Sequence, residues 1–177
     1  MQKTDMYTIN KGHSCHAGLR WVATALSTDK TRYVLTRIMI KEDVAVGTDG
    51  RRLHILTDPL LTQIEDGLYA VIKQNPHEVL LALDKDAGTF PNYKQVIPDT
   101  HSGSFNIGHN SKKGESVGRL IFELGKRNLA RVDSVYADDM FSFNPDGMTV
   151  HVTDKLNAVT FTSKGRLGAL MPLREGS

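Results

Sequence analysis

The sequence is poor in cysteine and has no long apolar run. Its single cysteine, Cys15, excludes a disulfide within the chain and indicates a reducing compartment. No apolar run approaches the roughly 20 residues needed to cross a bilayer, and residues 1–10 lack the apolar region of a signal peptide. We therefore expect a cytoplasmic protein with no membrane-spanning segment.

Strong net charge is also missing. The formal net charge of +2 is too small to indicate a nucleic-acid partner by itself, so the distribution of charge has to decide. A content of 40% hydrophobic and 24% charged residues is typical of a globular protein and excludes the disordered and fibrous classes. The 177 residues suffice for one ordinary domain, or two small ones, with a buried core.

Hydrophobic periodicity predicts an α+β fold. Apolar residues at i, i+3, i+4 and i+7 predict two helices, over residues 14–27 and 115–126. β-branched runs between turn residues predict the strands, at residues 6–9, 33–40, 44–46, 53–56, 68–73, 78–83, 104–107, 132–136, 140–143, 148–153, 158–162 and 167–171. This order predicts two β-α-β-β-β modules, about 1–99 and 100–177, in one domain with two helices packed on antiparallel sheets.

Basic residues concentrate around the two predicted helices. Residues 11–37 contain five basic residues (Lys and Arg) and one acidic residue, and residues 112–131 contain six basic and two acidic residues. A positive helix face attracts phosphates without reading sequence, although a solvated face is the alternative. For the phosphate-binding interpretation, the candidate contacts are Arg20, Lys112, Lys113, Arg119, Lys126 and Arg127.

Four segments carry a family resemblance. They read Ala-Leu-Ser-Thr-Asp-Lys-Thr-Arg (25–32), Val-Gly-Thr-Asp-Gly-Arg-Arg-Leu (46–53), Phe-Pro-Asn-Tyr-Lys-Gln-Val-Ile-Pro (90–98) and Met-Pro-Leu-Arg (171–174). In this order they resemble motifs of the bacterial sliding clamp, the β subunit of DNA polymerase III. The resemblance implies the clamp fold in a shortened, single-domain version. A clamp ring has twelve such modules, so two modules per chain would imply a homo-oligomer of six chains.

The resemblance also implies a groove for partner peptides, formed by the second and fourth segments. A flexible Met and an aliphatic residue beside Arg suit a groove for apolar side chains of an extended peptide. The groove residues carried over by motif are Leu35, Thr48, Gly50, Arg51, Arg52, Leu53, Pro91, Val96, Met171, Pro172, Leu173 and Arg174. Three features depart from the family: Arg51 stands in place of His, Gln95 in place of Arg, and the chain continues after Arg174.

The implied function is that of a polymerase processivity factor. It would bind double-stranded DNA without sequence preference and tether a DNA polymerase or other proteins that carry clamp-binding peptides. The alternative is a clamp-like adaptor or decoy that keeps the groove and forms no ring. No nucleophile, base and orienting group occur together, and no cofactor is implied, so we expect no enzymatic activity.

A metal-dependent enzyme is a third hypothesis. His13, Cys15 and His16 lie close together, but their spacing does not supply a recognisable four-ligand set. Asp138 and Asp139 are adjacent on a predicted strand, where neighbouring side chains point to opposite faces, so they do not form a catalytic pair.

Overall fold

A single antiparallel sheet organises the protein, whose computed structural model describes residues 5–108 and 114–174. The strands are β1 (Met6–Asn10), β2 (Ile38–Lys41), β3 (Val44–Thr48), β4 (Arg52–Thr57), β5 (Gly67–Gln74), β6 (Glu78–Leu83), β7 (Gly103–Ile107), β8 (Met148–Val152), β9 (Val159–Ser163) and β10 (Arg166–Leu170). The α-helices are α1 (His16–Thr24), α2 (Glu115–Lys126) and α3 (Ser134–Phe141). Short 3-10 helices cover Lys30–Thr36, Pro59–Gln63 and Tyr93–Val96. Within the described ranges, no helix combines the length and hydropathy that a membrane span requires.

The sheet has two related halves that meet at β4 and β10. Its strand order is β1-β6-β5-β2-β3-β4-β10-β9-β8-β7. At the junction Arg52 aligns with Leu170, His54 with Gly168 and Leu56 with Arg166. From this pair outward, β3, β2 and β1 follow β4 on one side, and β9, β8 and β7 follow β10 on the other. The β5–β6 hairpin interrupts this correspondence, because it is inserted between β2 and β1.

The main core lies between the sheet and the helices. Leu19, Trp21 and Val22 of α1 are fully buried, and the Trp21 indole Nε1 donates a hydrogen bond to the Met140 carbonyl oxygen of α3 (2.9 Å). Gly168 of β10 lies beneath this contact, where an added Cβ would overlap the Met140 sulfur. The two helices therefore pack on the junction of the two half-sheets.

A second apolar cluster lies on the opposite face of the sheet. It contains Val46, Leu53, Ala158 and Ala169. Because side chains alternate along a strand, Leu53 points away from the helices while its neighbours in β4 face them. Residues 90–97 cross this face, where Phe90, Tyr93 and Ile97 pack on the cluster.

The structure confirms the α+β class and corrects several elements. The strands predicted at 132–136 and 140–143 are absent from the described residues, and Ser134–Phe141 form α3 instead. Its first turn is capped by the Asp133 carboxylate, which accepts hydrogen bonds from the backbone N–H groups of Val135 (2.9 Å) and Tyr136 (3.0 Å). A third α-helix therefore joins the two predicted ones. The predicted strand 33–40 begins as a 3-10 helix, and the observed strand covers Ile38–Lys41. Helix α2 has the predicted bounds, whereas α1 is shorter than predicted.

Candidate peptide groove and basic helix faces

The turn between β3 and β4 is held by its own polar groups. The Thr48 hydroxyl donates to the Arg52 carbonyl oxygen (2.6 Å) and accepts from the Gly50 N–H (3.1 Å). The Asp49 carboxylate accepts from the backbone N–H groups of Arg51 (2.8 Å) and Arg52 (3.1 Å). Gly50 has φ of +90°, a conformation that favours glycine. The turn is thus a preformed feature of the chain.

The residues after β10 lie alongside this turn. The Met171 N–H donates to the Arg51 carbonyl oxygen (2.9 Å), and the Leu173 N–H donates to the Arg131 carbonyl oxygen (2.8 Å). Pro172, between them, has no N–H to donate. Met171 and Leu173 are 38% and 44% exposed. The second and fourth sequence motifs therefore meet in space, with apolar side chains on the surface.

The third motif borders the same region. Val96 is 40% exposed, and Pro91 is also exposed, on the segment that packs over the second apolar cluster. Leu53 is only 1% exposed and belongs to that cluster. It therefore forms part of the floor beneath the segment and is not itself available to a partner peptide.

Arg52 lies on the helix side of the sheet. Its guanidinium donates from Nε to the Asp49 carboxylate (3.1 Å) and from Nη1 to Asp139 of α3, and it stacks over the Tyr136 ring at 4.2 Å. Its side chain is 10% exposed. Arg52 therefore ties the turn to α3, on the face opposite to the apolar cluster, whereas the motif predicts a groove residue.

The other predicted groove residues lie around the turn. Leu35 is half-buried in the 3-10 helix Lys30–Thr36. That helix touches the turn, because Arg32 Nη1 donates to the Asp49 carbonyl oxygen (3.0 Å). Arg51 and Arg174 are exposed.

The predicted DNA-contacting residues differ in their exposure and in their contacts within the fold. Arg119 and Lys126 are exposed on α2. Arg127 forms an ion pair with Glu123 and stacks over the Phe105 ring at 4.5 Å. Lys112 and Lys113 fall outside the described residues.

Arg20 of α1 is engaged within the fold. It is half-buried, its guanidinium lies 4.3 Å from the centre of the Phe143 ring, and its Nε is buried without a hydrogen-bond partner. Nearby, burial lowers the pKa of Arg166 to about 10, and this residue donates to the carbonyl oxygens of Ser142 (3.4 Å) and Phe143 (2.5 Å). Of the predicted contacts in the described residues, Arg119 and Lys126 are therefore the most available to a ligand.

The sequence interpretation missed the exposed Phe122. Phe122 is 68% exposed on α2. The neighbouring Ile121, which the i, i+3, i+4, i+7 spacing from Val117 places in the buried stripe, is 45% exposed. The available signal was the position of Phe122, which falls outside the i, i+3, i+4, i+7 pattern of the helix.

The proposed metal ligands do not converge. His13 Nδ1 accepts a hydrogen bond from the Asn10 N–H (3.0 Å), and Cys15 and His16 are buried. Burial, assisted by the Asp58 carboxylate, raises the pKa of the Cys15 thiol to about 11. In the parts of the chain that the structure describes, no three His, Cys, Asp or Glu side chains are grouped to hold a metal ion. Asp138 and Asp139 lie on α3 and not on a strand.

Solved bacterial sliding clamps share this architecture. The DNA polymerase III β subunit from Borrelia burgdorferi matches with a TM-score of 0.63 and 13% identity, over 99% of this chain and 65% of that one. The Bartonella birtlesii clamp matches with a TM-score of 0.61 and 17% identity, over 98% of this chain and 67% of that one. The Helicobacter pylori clamp matches with a TM-score of 0.55 and 13% identity, also over 98% of this chain and 67% of that one. This chain has the bacterial clamp fold.

The clamp fold is supported by shape and not by sequence similarity. No protein-family model and no curated protein matches the sequence. The chain spans 65% of the length of the B. burgdorferi subunit and 66% of that of the Thermotoga maritima subunit. The B. birtlesii clamp was solved with griselimycin bound, and the H. pylori clamp with a DNA ligase peptide. These matches confirm the fold that the four motifs predicted.

Proposed function

We propose that this protein is a clamp-like processivity factor that binds DNA without sequence preference and tethers partner proteins through a peptide groove. The observation that carries the proposal is the hydrogen bond between Met171 and Arg51, which joins two of the motifs that form the groove in the resembling family. It occurs in a chain with the clamp fold, and a clamp of this fold was solved with a DNA ligase peptide. The proposed role is binding and tethering, without catalysis.

The groove chemistry suits an extended peptide with apolar anchors. Met171, Leu173 and Val96 are exposed around the turn and the segment at 90–97. A thioether side chain adapts to differently shaped apolar partners, and a few apolar positions next to exposed arginine give a peptide orientation as well as contact area. Thr48, Gly50 and Leu53 hold this surface in place from below.

A peptide-binding measurement tests the groove. The probe is the DNA ligase peptide of the H. pylori complex, labelled with fluorescein and followed by anisotropy. We expect Met171→Glu to abolish binding, because it places a charge among apolar contacts, and to leave the circular dichroism spectrum unchanged. The matched control is Val135→Glu, which changes a 66% exposed apolar residue on α3, on the other side of the sheet. If the two substitutions weakened peptide binding equally, or if neither weakened it, the assignment of the groove would be rejected.

The DNA-binding role rests on exposed cations of the helix layer. Arg119 and Lys126 are exposed on α2, and Lys112 and Lys113 precede this helix in the sequence. Contacts between such side chains and phosphates are electrostatic and independent of sequence. They allow a bound protein to move along the duplex while the groove holds a polymerase.

Ring assembly is proposed through the two sheet edges. Within the described residues, β1 and β7 form the ends of the sheet. All paired neighbours are antiparallel. Because the number of strands is even, β1 and β7 run in opposite directions, and head-to-tail pairing between copies would continue the antiparallel pattern.

A further inference from the structure

The outward face of α2 carries an exposed aromatic ring between two cations. Val117, Leu120 and Leu124 are buried against the rest of the protein, so the opposite side of the helix points away from it. Phe122 lies on that side and is 68% exposed. Arg119 precedes Phe122 by three positions and Lys126 follows it by four, so both lie next to the ring on the helix surface.

Two glycines leave the helix surface beside this ring without side chains. Gly118 and Gly125 lie four positions before and three positions after Phe122, and neither has a positive φ. An added Cβ at either would meet no atom within 4 Å. Glycine within a helix is less stable than alanine, and the packing of this chain does not require it at these positions. The glycines leave room for a flat group to approach the Phe122 ring.

The cations beside the ring are available. Neither Arg119 nor Lys126 forms an ion pair with a described residue. Of the two acidic residues on the helix, Glu123 is paired with Arg127. Glu115 lies in the first turn, where its negative charge interacts favourably with the positive end of the helix dipole. The face therefore combines positive charge with an accessible aromatic surface.

We propose that this face binds single-stranded DNA, with a base stacked on Phe122 and phosphates held by Arg119 and Lys126. The inference rests on the proposed DNA-binding function and adds a single-stranded ligand for the cations that are proposed to contact duplex phosphates. Stacking of bases on aromatic side chains within a basic groove is the common mode of binding to single strands. A duplex keeps its base faces covered by neighbouring base pairs, so Phe122 adds contacts with a single strand only.

A second copy of the chain fits this face less well. Two α2 helices meeting symmetrically through Phe122 would bring the Arg119 and Lys126 side chains of both copies together. Juxtaposed like charges oppose such a contact, whereas a polyanion is attracted by the same charges. Charge complementarity thus favours the nucleic acid.

Binding to two DNA probes tests the proposal. The full chain is titrated into a labelled 20-nucleotide oligo-dT and a labelled 20-base-pair duplex, with anisotropy as the readout. We expect Phe122→Ala to weaken oligo-dT binding by about tenfold or more and duplex binding by less than twofold, with an unchanged salt dependence. Phe122→Trp should preserve oligo-dT binding. The control Ile121→Ala removes a neighbouring exposed apolar side chain and should alter neither affinity.

The glycines give an independent measurement. Gly118→Ala and Gly125→Ala should each raise the melting temperature, because alanine favours the helix, and each should weaken oligo-dT binding by narrowing the access to the ring. Loss of binding with a gain in stability cannot be attributed to misfolding.

The outcomes separate this proposal from the proposed function. Unchanged oligo-dT affinity in Phe122→Ala, or an equal loss for both probes, overturns the stacking role while duplex binding by the wild type stands. A wild type that binds neither probe at low salt overturns DNA binding as a whole. Self-association of the wild type that is lost in Phe122→Ala without DNA would identify a second copy as the occupant, and would also overturn the proposal.

Discussion

Arg51 and Arg52 are adjacent in the sequence and have different surroundings. Arg51 is exposed beside the predicted groove. Arg52 is held between the carboxylates of Asp49 and Asp139 and against the Tyr136 ring. The motif alone assigns both residues to the groove, because it carries no information on α3. The structural role of Arg52 depends on a helix that the sequence interpretation did not predict.

The different surroundings of Arg51 and Arg52 predict that their substitution lowers stability by different amounts. Arg52→Met should lower the free energy of unfolding by about 3 kcal/mol, because it leaves the mostly buried Asp49 and its neighbour Asp139 without a cation. Arg51→Met, at an exposed position, should change it by less than about 0.5 kcal/mol. Urea denaturation followed by circular dichroism measures both. Adding Asp139→Asn to Arg52→Met should recover part of the loss, and similar losses for the two single variants would contradict this account.

At the scale of elements, α1 rests on β4 through a buried histidine. The His54 ring stacks on Trp21 with centroids 4.2 Å apart, and its Nδ1 donates to the Trp21 carbonyl oxygen (2.8 Å), which can only accept. His54 is fully buried, and this burial lowers its pKa from 6.5 to about 3. Arg52 and Arg166 add to the lowering. Burial therefore keeps His54 neutral in the folded protein, and the hydrogen bond to Trp21 offsets only part of the lowering of its pKa.

The burial of His54 predicts a loss of stability in acid. Below pH 6.5 the unfolded chain binds a proton at His54 and the folded protein does not, until the pH approaches the folded pKa near 3. The free energy of unfolding should therefore fall by up to about 1.4 kcal/mol per pH unit across this range. Urea denaturation at pH 7.5 and pH 5 measures the change.

Two variants assign the pH effect to its source. His54→Gln should reduce the difference between the two pH values, because Gln can still donate to Trp21 and does not titrate. His77→Gln, at an exposed position, should leave the difference as in the wild type. His16 and His151, whose pKa values are also lowered by burial, account for a residual dependence. Equal stability of the wild type at both pH values would contradict the role of His54.

The elements also show how far the sequence determines the local structure. Helix α2 has the predicted bounds, since its apolar spacing and its packing agree. Helix α3 contains Val135, Tyr136 and Phe141, which favour strands, and its tertiary contacts with α1 and α2 override that preference. The Asp133 cap was the local signal for a helix.

The candidate site was predictable in its position and not in its details. The motifs indicated that the turn at 48–51 and the residues at 171–174 belong together, and the structure brings them into hydrogen-bond contact. The burial of Leu53 could not be predicted, because it depends on a segment some forty residues away that crosses the sheet.

At the scale of the whole molecule, β1 and β7 are the outermost strands of the sheet among the described residues. The resemblance implies twelve modules in a ring, and the division of this chain into two modules, at about residue 99, stays a prediction. If it holds, light scattering in the presence of duplex DNA should give about six times the chain mass of 19.6 kDa, because edge pairing closes the ring. A monomer or dimer that keeps its mass on DNA would contradict the ring and favour the peptide-binding adaptor.

The pairing of β4 with β10 has a consequence for folding during synthesis. Strand β4 ends at Thr57, whereas its partner β10 begins at Arg166 and is the last of the described strands in chain order. Until β10 leaves the ribosome, β4 is an open edge with Leu53 and Ile55 on one face and Leu56 on the other. Open apolar edges pair readily with other chains. The apolar edge of β4 therefore stays uncovered during synthesis until β10 emerges and pairs with it.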